Sequence, residues 1–233
     1  MAMLIHRYAG SALGGSDCEE WQPGLLHQPV NSLSSLAYVA AGLWIATRWG
    51  TDRADRVTAV VFGAAVLSIG VGSLLYHGPQ WPGSAVVHDA TIPSAVLFIT
   101  VNDLALLRGW GLHRQMTTYA MAVAAACLLA VVLPASSGTV VALSAVSAVA
   151  AEAMLVRRRR DHSARAALLL AGTLLAAALA GLAGRTGSPL CRPHSLLQGH
   201  ALWHVLTAAA LLQWHRLRAE GKAGRSRPLR PTR

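Results

Sequence analysis

The sequence predicts an all-α membrane protein, a seven-transmembrane helix bundle with its N-terminus outside and its C-terminus cytoplasmic. Three observations carry that prediction. Apolar residues make up 54% of the 233 positions and charged residues only 13%, against about 25% charged in an ordinary soluble domain. The apolar residues come in long blocks, and a membrane crossing takes about 20 of them. The basic residues then fall almost entirely on one side of the alternating segments, as topology in a membrane requires.

The segments follow in order. The first covers about Val30–Trp49, the second Val57–His77, the third Ser84–Leu107 and the fourth Gln115–Leu133. The fifth covers Thr139–Val156, the sixth Ala164–Ala183 and the seventh Ser195–His215. The breaks between them are Asp52–Arg56, Gly78–Gly83, Arg108–Arg114, Pro134–Gly138, Arg157–Ser163 and Gly184–His194. Segments four to six are rich in Ala, Leu and Val and read as lipid-facing and packing surface. Residues 1–29 form an extracytoplasmic N-terminal segment, 30–215 the membrane domain, and 216–233 a basic cytoplasmic tail expected to be disordered. Met1 to Ser16 holds no apolar run of signal-peptide length, so the first span is expected to direct its own insertion.

Counting charges tests the orientation. With the N-terminus outside, the inner segments hold Arg48, Arg53, Arg56, Arg108, Arg114, Arg157 to Arg160, Arg165, Arg216, Arg218, Lys222, Arg225, Arg227, Arg230 and Arg233, which is 17 of 20 basic residues. The outer segments hold Arg7, Arg185 and Arg192. Six or eight spans would break this alternation. The net charge of +10 therefore reads as topology plus attraction to anionic lipid headgroups. No base-reading motif accompanies it, so a nucleic-acid partner is not expected.

Cys18 and Cys191 both fall in outer segments, where disulfides are permitted. A Cys18–Cys191 bond is expected; the alternative is two free thiols. Cys127 lies within the fourth segment and reads as a small core residue.

Ionisable residues inside a membrane span are costly and default to a functional reading. Here they cluster. The second segment ends in Gly72-Ser73-Leu74-Leu75-Tyr76-His77, the third opens with His88-Asp89, and the seventh carries His200-Ala201-Leu202-Trp203-His204. The alternation puts all of them in the outer half of the bilayer. His200 and His204 are four apart, so their side chains share a helix face about 5–6 Å apart, which is the pair spacing of helical zinc sites. Three imidazoles with an open fourth position make a catalytic zinc arrangement. Asp89 is the carboxylate at the right depth to offset the ion's charge. The plainer alternatives are a packed histidine pair, an interfacial His77, and an Asp89 favoured by a helix N-terminus. His88 is read as pointing to another face. His6, His27, His113, His162, His194 and His215 fall in loops or at interfaces. Asp103 and Glu152 lie near inner helix ends, where they can reach water or pair with Arg.

The set Cys18-Glu19, Asn31-Ser32-Leu33-Ser34-Ser35, Ser73-x-x-Tyr76-His77, Asp89 and His200-x-x-Trp203-His204 resembles the alkaline ceramidases. These belong to a superfamily of seven-helix membrane hydrolases that includes the progestin and adipoQ receptors. The resemblance covers almost the whole chain in motif order. It implies an amidase that splits ceramide-like lipids into a fatty acid and a sphingoid amine. It implies zinc on His77, His200 and His204, oxyanion stabilisation by Ser73, and proton handling by Asp89. It also implies a calcium site in the N-terminal segment. The match there is partial: Glu19 aligns with an acidic ligand, Asp17 is adjacent to another, Gln28 stands where Glu is expected, and Trp21 where Asn is expected. The family disulfide corresponds to Cys18 and Cys191. The residue balance, rich in Ala and Arg, points to a bacterial plasma membrane. Three other functions compete with this one: a receptor-like zinc protein without turnover, a transporter relaying protons through Asp89 and the histidines, and a haem protein.

Overall fold

Apolar segments joined by short breaks leave the backbone one way to satisfy its polar groups, which is helix. The structure, a computed structural model, describes residues 16–48, 52–158 and 164–223. The first segment folds in two pieces, α1 (Pro29–Ser34) and α2 (Leu36–Thr47). Pro29 suits a first helical turn. The interruption at Ser35 has a local cause. Ser32 Oγ donates to the Gln28 carbonyl at 2.6 Å, Ser34 Oγ to the Asn31 carbonyl at 2.8 Å, and Ser35 Oγ to the same carbonyl at 2.9 Å. Serine hydroxyls that bond back to the main chain compete with the helix ladder.

The next helices are α3 (Arg53–His77), α4 (Ser84–Arg108) and α5 (Leu112–Val132), then a 3₁₀ turn at Pro134–Ser136. After the turn come α6 (Ser137–Arg158), α7 (Ala164–Ala183) and α8 (Gly199–Ala223). Asp52 caps α3 by accepting from the Asp55 amide at 2.7 Å, a favoured N-cap role. Inside α4, Pro93 has no amide to offer the Asp89 carbonyl four residues back. Among the described residues the one β-type pairing is an isolated bridge between Asp17 and Arg185.

Six stretches are long and apolar enough to cross a membrane: Pro29–Thr47, Arg53–His77, Ser84–Arg108, Leu112–Val132, Pro134–Arg158 and Arg165–Ala183. The seventh segment is helical too, and α8 has 25 residues. It stays out of the apolar set because it carries His200, His204, Gln213, His215 and then a charged last turn. It also runs on to Ala223, so residues 216–223, read from the sequence as tail, belong to a helix. Residues 1–15, Arg159, Arg160 and residues 224–233 lie outside the described residues, and so do the disordered-tail and leader expectations that concern them.

The core lies where α2, α3, α4 and α8 meet. Tyr38, Ala41 and Ile45 of α2 pack with Phe62, Val66 and Ile69 of α3, Ala95 and Phe98 of α4, and Ala208 and Trp214 of α8. Phe62 stacks on Phe98 with centroids 4.9 Å apart and meets Trp214 edge-on at 4.9 Å. Gly42 of α2 and Gly63 of α3 let two backbones touch. A Cβ on either would stand 2.6 Å from the other's carbonyl oxygen, the close approach that small residues permit between membrane helices. The middle of α5 and most of α7 keep large apolar side chains such as Leu128, Leu168, Leu175 and Leu182 exposed. This is the outward surface that a lipid-facing helix presents.

Candidate metal centre

His77 is the last residue of α3, and His200 is the second residue of α8 with His204 one turn further on. The same end of the bundle thus holds all three. Two features fix it there. The N-terminal strap, residues 16–28, crosses the end of α3: the Gln28 amide donates to the His77 carbonyl at 2.9 Å and the His27 amide to the Gly78 carbonyl at 3.1 Å. The start of α8 is pressed against the end of α7, where a Cβ on Gly199 would lie 2.5 Å from the Ala180 carbonyl oxygen.

The imidazole centroids of His77, His200 and His204 are 5.0, 5.3 and 4.5 Å apart, taking His77–His200, His77–His204 and His200–His204 in turn. One ring nitrogen from each lies within 4.8 Å of the other two. His77 and His204 are buried and His200 is nearly so.

The other ring nitrogen of each histidine has a protein partner. Nδ1 of His77 meets Gln28 Oε1 at 2.7 Å. Gln28 Nε2 in turn donates to the Glu19 carbonyl at 2.9 Å, which fixes the amide oxygen as the acceptor toward His77. Nδ1 of His204 lies 2.8 Å from Ser34 Oγ. That hydroxyl spends its proton on the Asn31 carbonyl, so it accepts from the ring. Nδ1 of His200 stands 3.2 Å from Asp17 Oδ1, and Asp17 Oδ2 is 3.9 Å from Nδ1 of His77. All three protons are therefore drawn to the Nδ1 side, leaving three Nε2 lone pairs facing inward. Nε2 of His77 and of His200 are buried and meet no hydrogen-bond partner; Nε2 of His204 has only Ser73 Oγ at 3.3 Å.

Buried polar atoms are normally paired, and lone pairs turned toward each other repel. A cation answers both problems. Outward N–H groups held by carboxylate, amide or hydroxyl are also the usual support of metal-ligating histidines. The residues fit a three-histidine metal centre.

Ser73 sits one turn before His77 on α3, buried, and receives the Ser35 hydroxyl at 2.9 Å. Asp89 is less intimate with the centre. Its Oδ1 is 3.0 Å from Nδ1 of His88, and it does not join the group of three histidines. His88 itself stacks on Tyr76 at 4.3 Å and comes within 6.1 Å of the His77 ring. The sequence reading left His88 out of the ligand set, and it stands outside the group of three histidines while bonding Asp89 and lying near His77.

The three side chains read as candidate calcium ligands have other partners. Both Glu19 oxygens accept main-chain amides at the start of α1, from Val30 at 2.7 Å and Asn31 at 2.8 Å. Gln28 and Asp17 support histidines. Burial raises the Glu19 carboxyl above its usual value, and the Asn31 and Val30 amides pull it back down. Burial also pushes the Asp17 carboxyl up to about 7, with the Arg185 guanidinium lowering it and Glu19 adding to the rise.

A Cys18–Cys191 disulfide ties the strap to the α7–α8 loop, with Cα atoms 5.4 Å apart. The Cys18 amide donates to the Gly184 carbonyl at 2.7 Å beside it. The roles of Asp17, Gln28 and Ser34 as histidine partners were not visible in the sequence. Gln28 is 49 residues from the ring it holds and Ser34 170, Asp17 lies further still from His200, and no local pattern reports such contacts.

A second buried polar cluster lies at the far end of α8. Arg218 Nη2 is 2.9 Å from Asp103 Oδ1 of α4 and also meets Glu152 of α6, to which Trp214 Nε1 donates at 3.0 Å. The sequence left Asp103 and Glu152 either to reach water or to pair with arginine, and here both pair with Arg218.

No protein-family model and no curated protein matches the chain.

Proposed function

We propose that the chain is a seven-helix integral membrane hydrolase that cleaves the amide bond of ceramide-like lipids at a zinc ion held by His77, His200 and His204. The observation that carries this reading is the set of buried Nε2 atoms turned toward one another while every Nδ1 is held from behind. In this reading α8 is the seventh crossing, polar because it carries the site. The histidine end faces outward, and the Arg218 end lies toward the cytoplasm of a bacterial cell.

Zinc, when bound, supplies Lewis acidity and brings the pKa of a water toward about 7. The chain's own residues do the rest. Ser73 Oγ, 3.3 Å from His204 Nε2, is placed to donate to the carbonyl oxygen as negative charge builds there. The Asp89–His88 pair takes a proton from the attacking water and returns it to the departing amine, which leaves poorly unless protonated. Ceramide-like tails reach the site sideways from the outer leaflet. The low dielectric there strengthens every charge interaction.

The test is elemental analysis of the purified protein together with a hydrolysis screen on ceramides and other lipid amides. One zinc per chain with release of fatty acid and sphingoid amine is expected. Zinc without product would favour the receptor-like alternative. A protein free of metal would end the reading, and a Soret band would favour haem.

A further inference from the structure

The strap and its carboxylate stand closer to the histidines than a loop needs to. Asp17 is nine-tenths buried at its side chain, and its two oxygens face Nδ1 of both His200 and His77, at 3.2 and 3.9 Å. Its position is over-determined. The residue after it is disulfide-bonded to Cys191 and donates its amide to Gly184, the Thr186 amide donates to the Ser16 carbonyl at 2.9 Å, and Asp17 itself pairs with Arg185 as a β-bridge. Thr186 Oγ1 also donates to the Asp17 carbonyl at 3.0 Å. A short loop held at so many points presents one side chain inward, and that side chain meets the outer nitrogen of His200 and lies beside that of His77, two candidate ligands from two different helices.

We infer that Asp17 is a positioning residue for the metal centre: one carboxylate oxygen takes the Nδ1–H of His200 and fixes the tautomer that turns its Nε2 inward, while the other lies beside the His77 ring that Gln28 holds. The inference rests on the metal reading above and adds to it that the N-terminal strap is part of the centre. An amide cannot replace the carboxylate fully. An asparagine could keep one oxygen on the His200 N–H but would lose the negative charge that strengthens that bond. A carboxylate behind a ligating imidazole also raises the basicity of the metal-facing nitrogen.

The experiment titrates the full-length, metal-free protein in detergent with cobalt(II), recording the visible cobalt bands and the affinity against a competing chelator. Asp17→Asn is expected to bind cobalt ~10- to 100-fold more weakly than the unmodified chain, the usual cost of losing such a partner, with shifted bands. Asp17→Glu, which keeps a carboxylate, is expected to recover part of that loss. Glu20→Gln is the control: Glu20 is exposed and paired with His194 outside the centre, and both readouts should be unchanged. Equal affinity and superimposable bands for Asp17→Asn and the unmodified chain would overturn the inference while leaving the metal centre standing. Equal weakening by Asn and Glu would also overturn it, as the mark of a merely structural role. An unmodified chain that binds no cobalt would overturn both. If Asp17→Asn does not fold, Asp17→Ser is read in its place.

Discussion

Two buried polar clusters share α8: one pairs opposite charges, and the other turns like ring nitrogens toward one point. His200 and His204 lie in its first turns, and Arg218 lies 14 positions beyond His204, about 21 Å along a helix rising 1.5 Å per residue. Each cluster joins three parts of the chain. At the Arg218 end opposite charges answer one another: the guanidinium meets Asp103 and Glu152, and Trp214 donates to the same Glu152, with Asp103 Oδ2 a buried carboxylate oxygen left without a hydrogen bond. At the histidine end the outer nitrogens are answered by Gln28, Asp17 and Ser34, while the inner ones of His77 and His200 have no partner. The difference shows that burial alone does not mark a ligand site in a membrane bundle. What marks it is the direction in which unanswered atoms point.

The largest expected effect breaks this comparison most directly. His204→Ala removes one of three ligand atoms, and elemental analysis should find the purified variant without metal and without hydrolysis. Retained metal, or full turnover by a metal-free variant, would place the ligand set elsewhere. The second largest effect belongs to the other end. Arg218→Met strands two carboxylates, one of them fully buried, and should destabilise the protein by about 3–5 kcal/mol, the cost of breaking a buried charge cluster. Thermal unfolding in detergent measures it. Metal per folded chain should be unchanged. If Arg218→Met released the metal, the two clusters would be one system and the contrast would fail.

These contrasts show what a sequence can carry. The seven segments were legible because the length of a membrane-crossing helix is set by bilayer thickness; each appears as a helix, six of them apolar enough to cross a membrane. The break at Ser35 was not legible, since it depends on which carbonyl each serine hydroxyl chooses. The end of α8 was misplaced at His215 because loss of hydropathy was taken as loss of helix. His200 and His204 were legible from their spacing of four, and His77 from its depth. Asp17, Gln28 and Ser34 were not assigned to the rings they hold, because a polar residue in a loop or at a helix start has many ordinary uses. His88 was left out of the ligand set on helix geometry and is absent from the group of three; its stacking on Tyr76, 6.1 Å from the His77 ring, was not legible.

Ser73→Ala sharpens the comparison from inside the centre. Ser73 touches His204 Nε2 at 3.3 Å but is no ligand in the proposed set. Its loss should leave metal content intact and slow turnover ~10²-fold, the scale of one oxyanion donor. Parallel assays of zinc and of fatty-acid release separate the two. Lost metal would move Ser73 into the ligand set, and unchanged turnover would remove it from the chemistry.

The smallest expected effect tests whether the centre depends on how closely its helices approach. Gly199→Ala would set a Cβ 2.5 Å from the Ala180 carbonyl oxygen and 2.6 Å from the Gly184 amide. Both neighbours are backbone, so α7 and α8 must part. Gly42→Ala creates an equally tight clash, 2.6 Å from the Gly63 carbonyl oxygen, but between α2 and α3. There the neighbouring Gly63 lies 14 positions along α3 from His77. Overpacking of this kind should cost each variant about 1–3 kcal/mol, read as a lower unfolding temperature. The metal should tell them apart. Gly199 immediately precedes His200, so moving α8 there drags a ligand out of register and cobalt affinity falls. In Gly42→Ala the loss of stability should leave affinity near that of the unmodified chain. Equal affinity losses in the two variants would mean that the centre follows global stability and is not held by local contact at the start of α8.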